Sequence, residues 1–220
     1  MSAVIDHVFL CTAIGAPGAG LLRDLGLIEG SPNKHPGQGT ACRRFFFQNA
    51  MLELIWIEDE REARSEQTRR TRLWERWSQA GGAASPFGII LRPSPGAPNV
   101  CPFPHWDYRS PLMPDLQLQV AAEGGLEEPM WFYMTGGRPP SEFPPERRQP
   151  LAHPAGLYEL SGVCIVCPPL RETSVTAMMA RSGVIGVDTG LEHFMELTFD
   201  GHCRPKHADL RPELPLVLRW

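Results

Sequence analysis

Short strand-like segments, some alternating apolar and polar residues with a period of two, recur along the chain, and glycine and proline interrupt them repeatedly. That period sends successive side chains to opposite faces of a strand. Residues 116–121 read Leu, Gln, Leu, Gln, Val, Ala, and residues 5–11 alternate before turning apolar. The interruptions are frequent, with 21 glycines and 23 prolines in 220 residues. Proline removes a backbone donor and clashes with the preceding turn, which argues against a helical bundle, a coiled coil or a helical repeat. With 42% of residues apolar and 21% charged, the chain can bury enough surface to offset its conformational entropy. A loop-rich globular protein of short strands is expected.

The order of segments suggests an internal repeat. A strand at 5–11 is followed by glycine-rich punctuation and a short helix ending at Gly26, then by an exposed loop at 30–39. Strands at 41–47 and 51–57 flank a hairpin-length connection. Residues 58–80 form the strongly helical segment, with Glu58, Glu60, Glu62 and Glu66 early and Arg69, Arg70, Arg72 and Arg76 late. That order suits the helix dipole, and the arginines serve either as a solvated face or as an anion site. Further strands are expected at 86–91, 116–121 and 129–134, then a proline-rich excursion at 136–150. Near the C-terminus the opening order returns: a strand at 162–167, a helix at 172–181 closed by Gly183, and strands at 194–199 and 214–220. The expected organisation is a first module at 1–58, an insert of helix, strands and Pro-rich chain at 59–157, and a second module at 158–220. Together they form one compact domain.

Charge and cysteine content narrow the partners. A net charge of −4 offers no basic field for nucleic acid, and no apolar stretch is long enough to span a membrane. The first residues lack a basic and apolar leader pattern, so a cytoplasmic location is expected. The six cysteines read as reduced and mostly buried. Cys164 and Cys167 lie three apart in an apolar strand, on opposite faces, and so cannot chelate one metal together.

Several motifs, taken in order, resemble the vicinal oxygen chelate (VOC) superfamily, which contains glyoxalase I, extradiol dioxygenases and fosfomycin-resistance proteins. The first module carries Ile5-Asp6-His7-Val8, Gly39-Thr40 before an aromatic strand, and Leu52-Glu53-Leu54-Ile55. Trp106 before the alternating strand, the apolar–aromatic strand at 129–134, His153-Pro154-Ala155-Gly156 and Leu214-Pro215-Leu216 resemble its glyoxalase-like branch. The resemblance implies an α+β fold of paired βαβββ modules. Their curled mixed or antiparallel sheet surrounds a cleft, with the large insert between the modules.

The resemblance also implies function. His7 and Glu53 match the two first-module ligand positions for a divalent metal, and imidazole plus carboxylate suits Fe, Mn, Ni or Zn. The second module departs from the pattern, because Gly162 stands where a histidine is expected. Glu196, in Met195-Glu196-Leu197, is the remaining carboxylate candidate, as a ligand or general base alongside Glu53. A salt bridge to an arginine would serve Glu196 as well. Trp106, Trp131 and His153 are candidate substrate contacts, with core packing or turn formation as their alternative uses. The expected function is a glyoxalase-like small-molecule enzyme, a lyase or isomerase or a dioxygenase chelating vicinal substrate oxygens. The alternative is a metal-free small-ligand binding protein on the same fold. The expected partner is a small molecule, with a homodimer as an allowed assembly.

Overall fold

Strand β4 (Met51–Ile57) buries Leu52 and Leu54 on one face and Glu53 and Ile55 on the other. Both faces of this strand are therefore covered, and each cover is a different part of the chain. The computed structural model describes residues 2–112, 115–122 and 124–220. Helices make up 16% and strands 35% of it, in two mixed sheets, one strongly curled into a half-barrel, an α+β fold.

The larger sheet begins with β1 (Ala3–Cys11), α1 (Ala19–Asp24), β2 (Asn33–His35), β3 (Thr40–Phe46) and β4. Helix α1 ends at Gly26, whose φ of 99° is open to glycine without strain. The hairpin β3–β4 is antiparallel, and β4 then returns parallel to β1, giving the order β2-β3-β4-β1. Residues 59–157, expected as an insert, extend this same sheet. Strands β5 (Phe87–Pro93), β6 (His105–Arg109), β7 (Gln117–Ala121) and β8 (Met130–Met134) continue it as β5-β8-β7-β6. Strand β5 is antiparallel to β1 and parallel to β8. The second set of four thus mirrors the first about the β1·β5 seam, with a loop in place of the helical crossover.

The smaller sheet holds β9 (Leu160–Cys167), α4 (Val175–Arg181), β10 (Gly186–Thr189), β11 (Phe194–Phe199), β12 (His207–Asp209) and β13 (Leu216–Arg219), with strand order β10-β9-β11-β13-β12. Ser174 caps α4 by accepting from the Ala177 N–H, and Gly183 closes it at φ 77°. The inward face of the smaller sheet carries Val163, Ile165, Met195, Leu197, Leu216 and Leu218. These pack in one core with Val8, Leu10, Leu52, Leu54, Ile89 and Leu91 of the larger sheet.

The helix expected across 58–80 is broken into α2 (Glu60–Ala63), a 3-10 turn and α3 (Leu73–Ser78). The cause is local chemistry. Thr68 Oγ1 donates to the Glu62 carbonyl at 2.6 Å, and Arg72 sits at φ 56°. A hydroxyl that bonds the backbone offers an alternative to the helical ladder, and a left-handed residue ends it. The broken segment lies over the other face of the larger sheet. Ala63, Leu73, Trp74 and Trp77 pack there with Phe9, Ile55, Ile90 and Phe132.

Four short strands, β2, β6, β10 and β12, were outside the sequence expectation, and β2 lies in the stretch expected as a loop. Each is three to five residues long and carries no clear apolar alternation.

Candidate functional site

His7 and Glu53 emerge on one face of the larger sheet. In the parallel β1·β4 pair His7 faces Met51 and Phe9 faces Glu53, so the two side chains are diagonal neighbours on one side. Arg44 lies opposite Glu53 on β3, and Cys42 Sγ donates to Glu53 Oε1 at 3.8 Å. Burial beside this carboxylate pushes the Cys42 thiol up, which keeps it protonated as the donor.

Asp6 adds a group that sequence reasoning passed over. Neighbours on a regular strand point to opposite faces, yet His7 Nδ1 and Asp6 Oδ1 are 2.7 Å apart. The β1·β5 ladder slips register between Ile5 and His7, and that bulge lets the two side chains meet. Asp6 is held from behind by Arg92, whose Nε is 3.3 Å from Oδ2 and whose Nη2 donates to the Asn49 carbonyl. Burial alone would lower the His7 pKa, but the Asp6 hydrogen bond and the charges of Glu53 and Asp6 outweigh it, and the net direction is up. With Nδ1 spent on Asp6, Nε2 is left as the reactive nitrogen. The Ile-Asp-His run carried the signal, since an acidic residue beside a strand histidine can orient it wherever a bulge intervenes.

His35 approaches the same cluster but is spent structurally. Nε2 accepts from the Asn33 side-chain amide at 3.0 Å, and Nδ1 donates to Thr40 Oγ1 at 2.8 Å. Burial pushes its pKa down, so it stays neutral. Among the described residues no three His, Cys, Asp or Glu side chains gather in a metal-ligand arrangement. His7 Nε2 and Glu53 can furnish two donors. The positions of β5 and β8 that mirror them are apolar, with Ile90 directly opposite His7 and paired in turn with Phe132.

The other candidates lie elsewhere. Glu196 is on β11 in the smaller sheet, where its Oε1 meets Arg219 Nε at 2.7 Å. Such a solvent-reached pair contributes little, typically about 0–1 kcal/mol. Cys167 faces the core, while Cys164 lies on the opposite face beside Asp188. Trp131 is buried, and its Nε1 donates to Thr176 Oγ1 at 2.9 Å. Trp106 stacks edge-on with Tyr108 and carries the Arg70 guanidinium 4.2 Å from its ring. Both tryptophans border one cavity, near the outer end of β7 and β8.

His153 is a structural staple. Its Nδ1 accepts the Ile28 N–H at 3.0 Å, its Nε2–H donates to the Phe46 carbonyl at 2.8 Å, and Phe47 packs on the ring. Burial holds its pKa below the usual value. The neutral ring is the folded form, so its stability contribution is present above about pH 6.5 and is lost as pH falls through the depressed pKa. His7 has the opposite sign: its contribution is full below about pH 6.5 and is lost as pH rises through the raised pKa. The His153→Leu protein is expected to be about 2 kcal/mol less stable at neutral pH, because Ile28 N–H and Phe46 C=O lose their partner. Between about pH 7 and pH 5 it should also lose less stability than wild type, as denaturant midpoints would show. An unchanged acid slope would contradict this assignment.

No family model matches the chain. Nor does any curated protein match it. Among solved structures 53 chains match. One is the crystal structure of a hypothetical protein from Staphylococcus aureus, at 10% identity and a TM-score of 0.55, covering 99% of this chain and 98% of that one. At that identity the likeness concerns the fold, and it runs nearly end to end.

Proposed function

We propose that the chain is a small-molecule enzyme of the glyoxalase-like, vicinal oxygen chelate type, working by proton transfer at His7. The observation that carries this reading is the Asp6–His7 hydrogen bond of 2.7 Å beside Glu53. A buried carboxylate that fixes one ring nitrogen leaves the other as a base of raised pKa, suited to taking a proton from a carbon or hydroxyl of an oxygenated substrate. Glu53 is the second acid–base group. If a divalent ion is bound, His7 Nε2 and Glu53 would hold it in place of their proton-transfer roles, and it would polarise substrate oxygens. The chain's own residues orient and deprotonate, while the apolar cover from α2 and α3 excludes water from part of the face.

The second reading, a metal-free ligand-binding protein on this fold, is favoured by the apolar positions Ile90 and Phe132 and by the engagement of Glu196 with Arg219. One experiment separates the two. Chelator-free protein is assayed for bound metal and for solvent-deuterium exchange into a panel of small 2-oxo and vicinal-hydroxy compounds. The enzyme reading expects exchange in wild type, with His7→Ala at least ~100-fold slower and Glu53→Gln also impaired. Exchange that is absent from wild type, or equal in His7→Ala, removes it.

A further inference from the structure

The cavity bordered by Trp106 and Trp131 has an electrostatic character unlike that of the His7 face. Its volume is about 180 Å3, and Arg70, Arg72 and Arg76 all line it, with no carboxylate among its described lining residues. Trp106, Val120 and Met130 contribute apolar side chains to the wall. Arg70 and Arg72 are exposed at the opening, whereas Arg76 is buried, and a buried guanidinium is costly unless a partner joins it.

Arg76 makes the case specific. It is 4% exposed, and its Nη1 is saturated by the carbonyls of Ser85, Leu126 and Glu128 at 2.5, 3.1 and 2.7 Å. Its Nε is buried with no hydrogen-bond partner, and Nη2 makes no hydrogen bond among the described residues. The Nε–Nη2 edge is therefore unspent, and that edge grips a carboxylate or phosphate through two parallel bonds. Burial, helped by the neighbouring Arg72 charge, lowers the Arg76 pKa to about 10, and the carboxylates of Glu127 and Glu128 do not offset this. No acidic side chain of the described residues lies within ion-pair distance of its guanidinium. Arg70 is held over the Trp106 ring, which fixes a second guanidinium at the rim.

The geometry points to an anion-binding site here, formed by Arg76 at its base and Arg70 and Arg72 at its rim, for a small carboxylate or phosphate ester with an apolar body. The ligand's charged group sits on the Arg76 edge, and its apolar part lies against Val120, Met130 and Trp106. The site is separate from His7 and does not rest on the enzyme reading.

The test uses two probes, inorganic phosphate and benzoate, titrated into the full chain by calorimetry at low salt. Arg76 stays native because its carbonyl bonds hold the fold. The rim is removed by Arg70→Gln with Arg72→Gly, glycine suiting the positive φ of residue 72. Wild type is expected to bind at least one probe at a single site, and the rim variant at least ~10-fold more weakly. Tighter phosphate marks a phosphate ester as the ligand class, and tighter benzoate marks a carboxylate. His7→Ala should bind as wild type does. Three results would each overturn the proposal: no binding of either probe to wild type at about 10 mM, equal binding by the rim variant, or loss of binding in His7→Ala.

Discussion

An Arg76→Met protein is expected to lose about 3–5 kcal/mol of stability, because buried carbonyls bonded to the guanidinium lose their partner at about 1–3 kcal/mol each. The three carbonyls that Nη1 satisfies belong to Ser85, Leu126 and Glu128, on the approach to β5 and on the turn leading into β8. The Ser85 N–H also donates to the Leu126 carbonyl at 2.7 Å, so that oxygen keeps a partner while the other two are stranded. Methionine matches much of the stem's volume, so the loss comes from hydrogen bonding rather than from a cavity. For a chain of this length the thermal midpoint should fall by roughly 10 °C, with an unchanged denaturant slope. A shift of only a degree or two would mean that water replaces the guanidinium at little cost. The buried Arg76 would then be a ligand group more than a structural one.

Gly39→Ala is expected to be similarly damaging, by about 3 kcal/mol or more, for a different reason. Gly39 has φ 73°, and its carbonyl accepts the N–H groups of Glu58 and Asp59 at 2.9 and 3.1 Å. A Cβ there would collide with the Asp59 carbonyl and lie 2.6 Å from the Ala63 nitrogen, both backbone atoms that side-chain rotation cannot clear. The substitution therefore adds overpacking to an unfavourable φ, at the junction where β3 begins and α2 is capped by Asp59. Because α2 is part of the cover over the His7 face, the loss should appear in stability and in the accessibility of Trp74 and Trp77. Gly20→Ala is the control: that glycine sits in α1 with open space at the Cβ position, so it should be neutral or slightly stabilising.

Most of the longer strands were legible in the sequence, and so were the two helices closed by Gly26 and Gly183. Each of those signals is local: a period of two, or a glycine just past an apolar run. The helix expected at 58–80 illustrates the limit. Its charge order and apolar spacing are helical, but Thr68 and Arg72 break it, and a hydroxyl's preference for a backbone carbonyl leaves no periodic trace. At the candidate site, His7 and Glu53 were legible because a histidine and a carboxylate interrupt apolar strands. Asp6 was not, because a regular strand would turn it away from His7, and only the register slip against β5 brings the two together. His153 read as a candidate contact, and its two backbone partners, Ile28 and Phe46, lie more than a hundred residues away in sequence.

The amino-acid sequence alone determined that short strands and short helices, and no long helix-built core, make up the chain, and which side of an alternating strand is apolar. These follow from backbone sterics and side-chain spacing within a few residues. The tertiary structure alone decided which strands are partners. Residues 59–157 read as an insert between modules, yet β5 to β8 join β1 to β4 in one sheet, and the β9 to β13 segment forms another. A strand's periodicity specifies a face and leaves the neighbour open, because ladder hydrogen bonds are the same for any partner and burial of both faces makes the choice. The same holds for the arginines of residues 69–76. In sequence they are one charged run, and the fold separates Arg76, buried on three carbonyls, from Arg70 stacked on Trp106.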